Sequence, residues 1–553
     1  MSSSRQDYWI TALVVVLAAG PAACGGDEPR DGDADADGDA DGGGDADADE
    51  DEDEDADADQ DVDWTPVERV FPDGFLFGTA IAGFQAEMGC PTIPPEECED
   101  RHSDWYVYIT APETLESGRT HLTGHPPTAG PGHWELYEGD FDLAADELHN
   151  NALRMSIEWS RIFPEPTDGI EGFEALRAVA DEDAIAHYHA VFAALRERGL
   201  EPLVTLNHYS LPTWIHDTVA CHQDLATCSP RGWLDRERTV REIAKYAGFV
   251  AEEFGGEVDL WATLNEPFAV LFPGYVLPSA DRTNPPAAMM AYAEAREVFV
   301  ALIEGHARMY DAVKAADLDD ADGDGEVARV GVVYAVSPVR PADPAEPLDV
   351  TAAENVFYLW NAAYLNAVCR GDLDDDLDGD AEHRDDLADR MDYVGVNYYT
   401  RVTVEGVRDP VMPELSPLTT FNPLGIEPWE DYPRGLYEAV VFVTEEFGLP
   451  TIITENGAAD PADDGTGASW IVRHMTWAHQ AIEDGADLRG YFYWTLMDNY
   501  EWNHGMDIRM GLYAVDRNDP AKVRVARRSV PIYGEIAGTG AISVELSALY
   551  PAP

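Results

Sequence analysis

The 553-residue sequence predicts an α/β fold, a single (β/α)8 TIM barrel, and three observations carry that prediction. The first is Gly448 to Gly457, GLPTIITENG. It reads as a buried, β-branched strand from Pro450 to Thr454 that delivers Glu455 onto a Gly-terminated loop. The second is Asp259 to Pro267, DLWATLNEP, which has the same order of parts: an apolar run, then Asn265 and Glu266, then a proline that stops the strand. Acids carried at the ends of buried strands are what the mouth of a closed parallel barrel displays, on a rigid base rather than a mobile loop. The third is length, since such a barrel takes about 250 residues or more with insertions and this chain is ample for one large domain of that kind.

The chain begins outside that domain. Arg5 precedes the apolar run Ile10 to Ala19, which is too short to span a bilayer comfortably and is followed by small residues and Cys24. Residues 1–24 resemble a bacterial lipoprotein signal with Cys24 as the lipidated residue, although Pro21 stands where such signals usually carry an aliphatic side chain. An ordinary cleaved signal or an uncleaved anchor fits the same run, and all three readings make the protein exported, either held at the cell envelope or secreted. Residues 25–63 hold 21 acids and one base, Arg30. Such a stretch cannot bury enough surface to offset its ordering entropy, so it is expected to be a disordered acidic tether. The folded domain is expected over 64–540, with 541–553 as a C-terminal tail. A net charge of −72 repels phosphate backbones and anionic headgroups, which argues against nucleic acid as a partner.

Within the domain the first element is Phe71 to Glu87, FPDGFLFGTAIAGFQAE, a strand over Leu76 to Thr79 leading into a small-residue turn that presents Gln85 and Glu87. This stretch resembles the opening signature of glycoside hydrolase family 1, the β-glucosidase family, in which the Gln matched by Gln85 binds hydroxyls of the non-reducing sugar. The remaining motifs follow in the order that family requires. Asn151 to Pro164, NALRMSIEWSRIFP, is a strand bearing Arg154, which matches the Arg that keeps the family's nucleophile ionised. A helix over Ala184 to Arg198, apolar at helical spacing, precedes Pro202 to Trp214, PLVTLNHYSLPTW. There His208 matches the family's glycone-contacting His, while Tyr209 and Ser210 depart from its usual Trp-Asp.

In DLWATLNEP, Glu266 matches the general acid/base and Asn265 the donor to the sugar 2-hydroxyl. Met391 to Arg401, MDYVGVNYYTR, supplies Asn397, which by resemblance shapes the subsite, and Tyr399, whose hydroxyl is expected on the nucleophile. Gly490 to Asp516 supplies Trp494 as a stacking platform, and Glu501 with Trp502 to grip the 4- and 6-hydroxyls. Members that cleave 6-phosphorylated glycosides carry small polar residues at that pair. Here Glu501 would repel a phosphate, so an unphosphorylated glycoside is expected. Met506 and Met510 stand where the family usually has aromatic residues, which softens the subsite floor.

Breaking a glycosidic bond through an oxocarbenium-like transition state takes one carboxylate at the anomeric carbon and one protonated acid at the leaving oxygen. The resemblance assigns Glu455 as nucleophile and Glu266 as acid, then base, with Arg154 and Tyr399 favouring the charged form of Glu455. The expected activity is retaining hydrolysis of terminal non-reducing β-D-glycosyl residues, with no cofactor required. Two other readings share the motifs: a catalytically silent carbohydrate-binding or receptor protein on the same barrel, and a transglycosidase.

Cysteine spacing and acidic insertions complete the reading. In an exported protein the pairs Cys90 with Cys98 and Cys221 with Cys228 are each placed to staple their own loop. Cys369 is left over, as a buried thiol. Asp320, Asp322 and Asp324, and separately Asp374, Asp376 and Asp378, follow the opening of an EF-hand-type loop. Either set is a candidate structural calcium site, the second with Asp385 at its twelfth position; an acidic surface loop is the alternative for both.

Overall fold

Eight parallel strands close on themselves in a barrel: β1 (Leu76–Ala80), β2 (Ala152–Ser156), β3 (Glu201–Asn207), β4 (Leu260–Asn265), β5 (Arg329–Ala335), β6 (Tyr393–Asn397), β7 (Thr451–Asn456) and β8 (Leu488–Trp494). Each pairs with its neighbours in sequence, and β8 closes the ring on β1. This computed structural model describes residues 65–410, 417–422 and 430–552. The stretches expected to be a signal segment and an acidic linker, with Cys24, lie outside the described residues.

Side chains alternate along the strands, as a two-residue repeat requires. One set, including Ala152, Leu203, Ala262, Val333, Ile452 and Phe492, forms its own small apolar cluster. The alternate set, including Leu153, Val204, Trp261, Val332 and Ile453, belongs to the larger core shared with the helices. The helix read from the sequence is α1 (Glu182–Glu197). It starts where the Asp181 side chain accepts from the Ala184 N–H at 2.9 Å, and it buries Ile185, Tyr188, Phe192 and Leu195 at helical spacing. Further around the ring, α2 (Arg236–Phe254) and α3 (Tyr292–Ala316) bury the same kind of stripe.

Register slips where it matters for function. Pairing shifts between Ala262 and Asn265 on β4, between Val396 and Asn397 on β6, and between Ile453 and Asn456 on β7. Such irregularities re-aim side chains at strand ends, and here they fall beside Glu266, Asn397 and Glu455. The loop after β7 then needs Gly457, because a Cβ there would lie 2.0 Å from the Trp494 carbonyl oxygen.

Four expectations are corrected. Residues 541–552 are no tail: Ala541–Ile542 pairs antiparallel with Arg69–Val70, a helix follows over Val544–Leu549, and Ile542 and Leu546 are buried. Asp385 stands apart from the cluster formed by Asp374, Asp376 and Asp378, because Asp372–Leu373 and Glu382–His383 form a two-stranded hairpin where an EF-hand has its exiting helix. Asp385 is exposed beyond that hairpin and pairs with His383 at 3.2 Å. In the other insertion Asp259, just ahead of β4, joins Asp320 and Asp322, whereas Asp324 turns to Arg329 at 3.0 Å. The disulfides Cys90–Cys98 and Cys221–Cys228 are both formed, and Cys369 is free and only partly buried.

Candidate active site

The eleven candidate site residues come from seven of the eight strands, all but β5, and gather at one end of the barrel. Arg154 lies within β2 and Glu455 within β7. Asn265, Asn397 and Trp494 are the last residues of β4, β6 and β8. His208, Glu266 and Tyr399 follow β3, β4 and β6 within two residues, Gln85 sits on a short helix after β1 (Gly83–Glu87), and Glu501 and Trp502 lie in the loop after β8. Carboxyl ends of barrel strands are where this architecture builds its sites.

Glu455 is 4 % exposed and has a donor on each oxygen. Arg154 Nη1 meets Oε1 at 2.5 Å and the Tyr399 hydroxyl donates to Oε2 at 2.6 Å. The guanidinium, itself fully buried, is fixed by donating to Thr205 Oγ1 at 3.1 Å and to Asn265 Oδ1 at 2.7 Å. Burial pushes the Glu455 carboxyl up, to about 7; Arg154 and the Tyr399 hydroxyl pull it down, and the charge of Glu266 adds to the rise. The expected donors are therefore in place, but burial outweighs them.

Glu266 adopts the left-handed conformation, φ 43° and ψ 66°, uncommon for a residue with a Cβ and a mark of functional constraint. Its N–H still donates to the Val333 carbonyl of β5 at 2.8 Å, so the side chain is thrown inward from an anchored backbone. Asn397 Nδ2 donates to Oε1 at 2.7 Å, and the Tyr209 hydroxyl donates to Oε2. The Asn397 amide is oriented by Thr454 Oγ1, which donates to its Oδ1 at 2.8 Å, and it also reaches Asn265 Oδ1 at 3.3 Å. The two acids are thus joined by one polar chain running from Glu455 through Arg154, Asn265 and Asn397 to Glu266.

A third buried acid, Glu501, lies at the other side of the pocket. Gln85 Nε2 and Trp494 Nε1 donate to it at 3.1 and 3.0 Å, and burial pushes its carboxyl up to about 7. Asn265 Oδ1 already accepts from Arg154, so its Nδ2 donates to His208 Nε2 at 3.2 Å, which puts the imidazole proton on Nδ1. Burial pushes His208 well below its usual range, so the ring is neutral. Gln85 Oε1 and His208 Nδ1 are buried with no partner among the described residues, an acceptor and a donor of the kind sugar hydroxyls satisfy. The His208 ring lies nearly parallel to both Trp494 and Trp502, with centroids 5.9 Å away in each case.

Two residues escaped the sequence reading. Tyr209 was visible there only as a departure after His208. Arg282, in the irregular stretch after β4, places its guanidinium 5.1 Å from the Tyr209 ring and 5.3 Å from the Trp502 ring, and no periodicity or motif marks it.

Comparison with known proteins agrees with this geometry. The model of glycosyl hydrolase family 1 matches residues 67–541. A β-galactosidase from Pyrococcus woesei is 34 % identical over 523 residues, covering 86 % of this chain and 99 % of that protein. Among solved structures, the β-glycosidase from the hyperthermophile Thermosphaera aggregans is 29 % identical with a TM-score of 0.75, covering 88 % of this chain and 100 % of its own. A hyperthermophilic β-glucosidase from Pyrococcus furiosus is 32 % identical with a TM-score of 0.72, covering 87 % and 98 %. With two carboxylates wired to one another at the mouth of an eight-stranded barrel, and with a family match spanning the whole barrel, this chain belongs to glycosyl hydrolase family 1 and is a glycoside hydrolase.

Proposed function

We propose that the protein hydrolyses unphosphorylated β-D-glycosides from the non-reducing end with net retention of configuration, through a covalent glycosyl-enzyme intermediate. The observation that carries this reading is the asymmetry of the two wired acids: Glu455 has a guanidinium and a phenol on its two oxygens, whereas Glu266 has an amide and a phenol. Glu455 is the acid furnished to hold negative charge and to attack.

In the first step a Glu455 carboxylate oxygen bonds to the anomeric carbon. The electron pair of the breaking C–O bond goes to the glycosidic oxygen, which takes the Glu266 proton and leaves as an alcohol. In the second step Glu266, now a carboxylate, removes a proton from water, and the hydroxide oxygen displaces Glu455 from the anomeric carbon. Gln85, His208, Asn265 and Asn397 hold the hydroxyls, Glu501 with Trp502 takes the 4- and 6-hydroxyls, and Trp494 is the stacking surface. Glu501 is an acceptor where a phosphate needs donors, which supports an unphosphorylated sugar. Relatives named β-galactosidase and β-glucosidase make galactosides and glucosides the first substrates to try.

The test is a panel of aryl β-glycosides turned over by the wild type and by Glu455→Gly, with azide added to the variant. Active wild type, an inert variant and rescue as an α-glycosyl azide are expected. A β-glycosyl azide, or undiminished activity in the variant, overturns the assignment of Glu455. Wild type that binds sugars and cleaves none overturns the hydrolytic reading in favour of a binding protein. We also infer export, supported by two disulfides in the folded body. The mass of the mature N-terminus, read on protein from fractionated cells, checks it: a diacylglyceryl-modified Cys24 in the envelope fraction is expected, and an intact unmodified Met1 on protein recovered from the cytoplasm sinks it.

A further inference from the structure

We propose that Tyr209 is a positioning residue for leaving-group protonation: its hydroxyl fixes Glu266 Oε2 as the oxygen that carries the transferable proton, and it stabilises the carboxylate left when that proton departs. The inference rests on the retaining reading above, in which Glu266 is the acid.

Tyr209 is 5 % exposed and has φ 71°, so the chain turns sharply straight after His208. The turn brings the ring edge-on to Trp502, with centroids 4.9 Å apart, and under the Arg282 guanidinium at 5.1 Å. Held by the Trp502 ring and the Arg282 guanidinium, the phenol reaches Glu266 Oε2 as a donor. The other oxygen, Oε1, is closed to proton transfer. Its partner is the Asn397 amide nitrogen, which only donates, and the amide oxygen is already occupied by Thr454 Oγ1. A proton on Oε1 would face another N–H. The proton therefore belongs on Oε2, which accepts from Tyr209 on its lone pair and points its O–H at the glycosidic oxygen.

The hydroxyl then acts differentially. While Oε2 carries its proton, Tyr209 donates to a neutral acid. As that proton passes to the glycosidic oxygen, with the pair of the breaking C–O bond, the same contact becomes charge-assisted and roughly twice as strong. An interaction that strengthens only as the reaction proceeds lowers the barrier. Tyr209 keeps its own proton throughout, since burial and the nearby Glu266 hold the phenol well above its usual range. The other charged or titratable groups facing it are Glu455, Arg282 and the neutral His208.

The experiment compares kcat/KM, which reports the first chemical step, for two β-glycosides of one sugar: a 2,4-dinitrophenyl glycoside, whose leaving group needs no proton, and a phenyl or alkyl glycoside, whose leaving group does. Tyr209→Phe is expected to lose about 10- to 100-fold on the second substrate, the range for a hydrogen bond to a charged group, and less than about twofold on the first. Tyr209→Leu, which keeps an apolar side chain and offers no hydrogen-bond donor, is expected to show the same split, and this guards against a folding defect peculiar to one variant. Equal losses on both substrates, or no loss on either, overturn the role of Tyr209. Glu266→Ala and the anomer released by wild type calibrate the assay. If Glu266→Ala itself shows no split, or wild type first releases the α-anomer, the retaining reading has failed, and the Tyr209 inference falls with it for that separate reason.

Discussion

Replacing Glu158 by Gln is expected to make the protein more stable, and increasingly so as pH rises. Glu158 follows β2 and is 1 % exposed. Its Oε1 accepts from the Phe84 N–H at 3.2 Å and from Ser156 Oγ at 2.9 Å, and its Oε2 accepts from Ser210. Burial, then the charge of Glu87, then that of Asp100 push the carboxyl up, to about 8 in total, against the hydrogen bonds from Ser210 and Ser156. The folded state therefore holds a proton that the unfolded chain releases above its ordinary value of 4.5. A group of this sign contributes its full stability below the unfolded value and loses it as pH climbs through the folded one. At about 1.36 kcal/mol per pH unit, the loss is on the order of 3 kcal/mol by pH 7 and about 5 kcal/mol by pH 9. Gln has the shape and hydrogen-bonding capacity of the protonated acid and does not titrate. With roughly 490 folded residues, each contributing about 2.1 cal/mol/K of unfolding entropy, 1 kcal/mol moves Tm by about 1 °C. Thermal scans at one fixed rate, needed because large chains often unfold irreversibly, should find the variant and wild type within about 1 °C of each other at pH 5. The variant should melt about 3 °C higher at pH 7 and about 5 °C higher at pH 9. A gap that stays constant, or narrows with rising pH, refutes the reasoning.

The remaining expectations concern the pocket. If Glu455 attacks as proposed, it must be ionised, and since burial has pushed its carboxyl up to about 7, kcat/KM should fall about tenfold per pH unit on the acidic side of that value. Tyr399→Phe removes a donor to the charged form, so it should move this acidic limb to higher pH and lower the plateau about 10- to 100-fold. A pH–rate profile checks both, and an unmoved limb would count against the Tyr399 contact. Glu501→Gln should weaken kcat/KM for glucosides and galactosides by about tenfold or more, while β-xylosides, which lack the 6-hydroxymethyl group, should lose much less. An equal loss on xylosides would place Glu501 away from that end of the sugar.

Much of this was readable before any coordinates. Glu266 and Glu455 were legible because a strand that is buried on both sides ends abruptly when a carboxylate, an Asn and a Gly or Pro follow. Arg154 was legible through the resemblance, as the match to the family's Arg within the motif NALRMSIEWSRIFP. What escaped depends on contacts without a local pattern. A two-residue strand such as Ala541–Ile542 is too short to display alternation, so its pairing with Arg69–Val70 left no trace. Asp385 was misplaced because a twelve-residue spacing presumes an exiting helix, and the chain builds a hairpin there instead. Arg282 sits in irregular chain, and the Tyr209 contact depends on a positive φ at a non-glycine residue, which residue identity disfavours rather than signals.

The turn after β3 ties these strands of reasoning together. Three consecutive residues there face three different tasks: His208 offers Nδ1 to the sugar pocket, Tyr209 holds Glu266, and Ser210 holds Glu158. Two of the three are the positions at which the chain departs from the family's usual residues. A departure that placed an isolated hydroxyl in a buried site would destabilise the fold, because an unpaired buried polar group costs on the order of 1–3 kcal/mol. Both hydroxyls instead meet carboxylates. The tyrosine pairs with the acid that, in the proposed mechanism, changes charge during turnover. The serine pairs with one whose burial keeps it protonated at neutral pH. The two substitutions therefore have separable consequences. Glu158→Gln keeps a partner for Ser210 and should leave the leaving-group dependence of kcat/KM as in wild type, whereas Tyr209→Phe should change that dependence and leave intact the gain in Tm that Glu158→Gln brings at pH 7 and 9 when the two are combined. Both assays run on both variants would establish whether the turn is a single structural unit, in which case the effects mix, or a scaffold on which a catalytic contact and a stabilising contact are held independently.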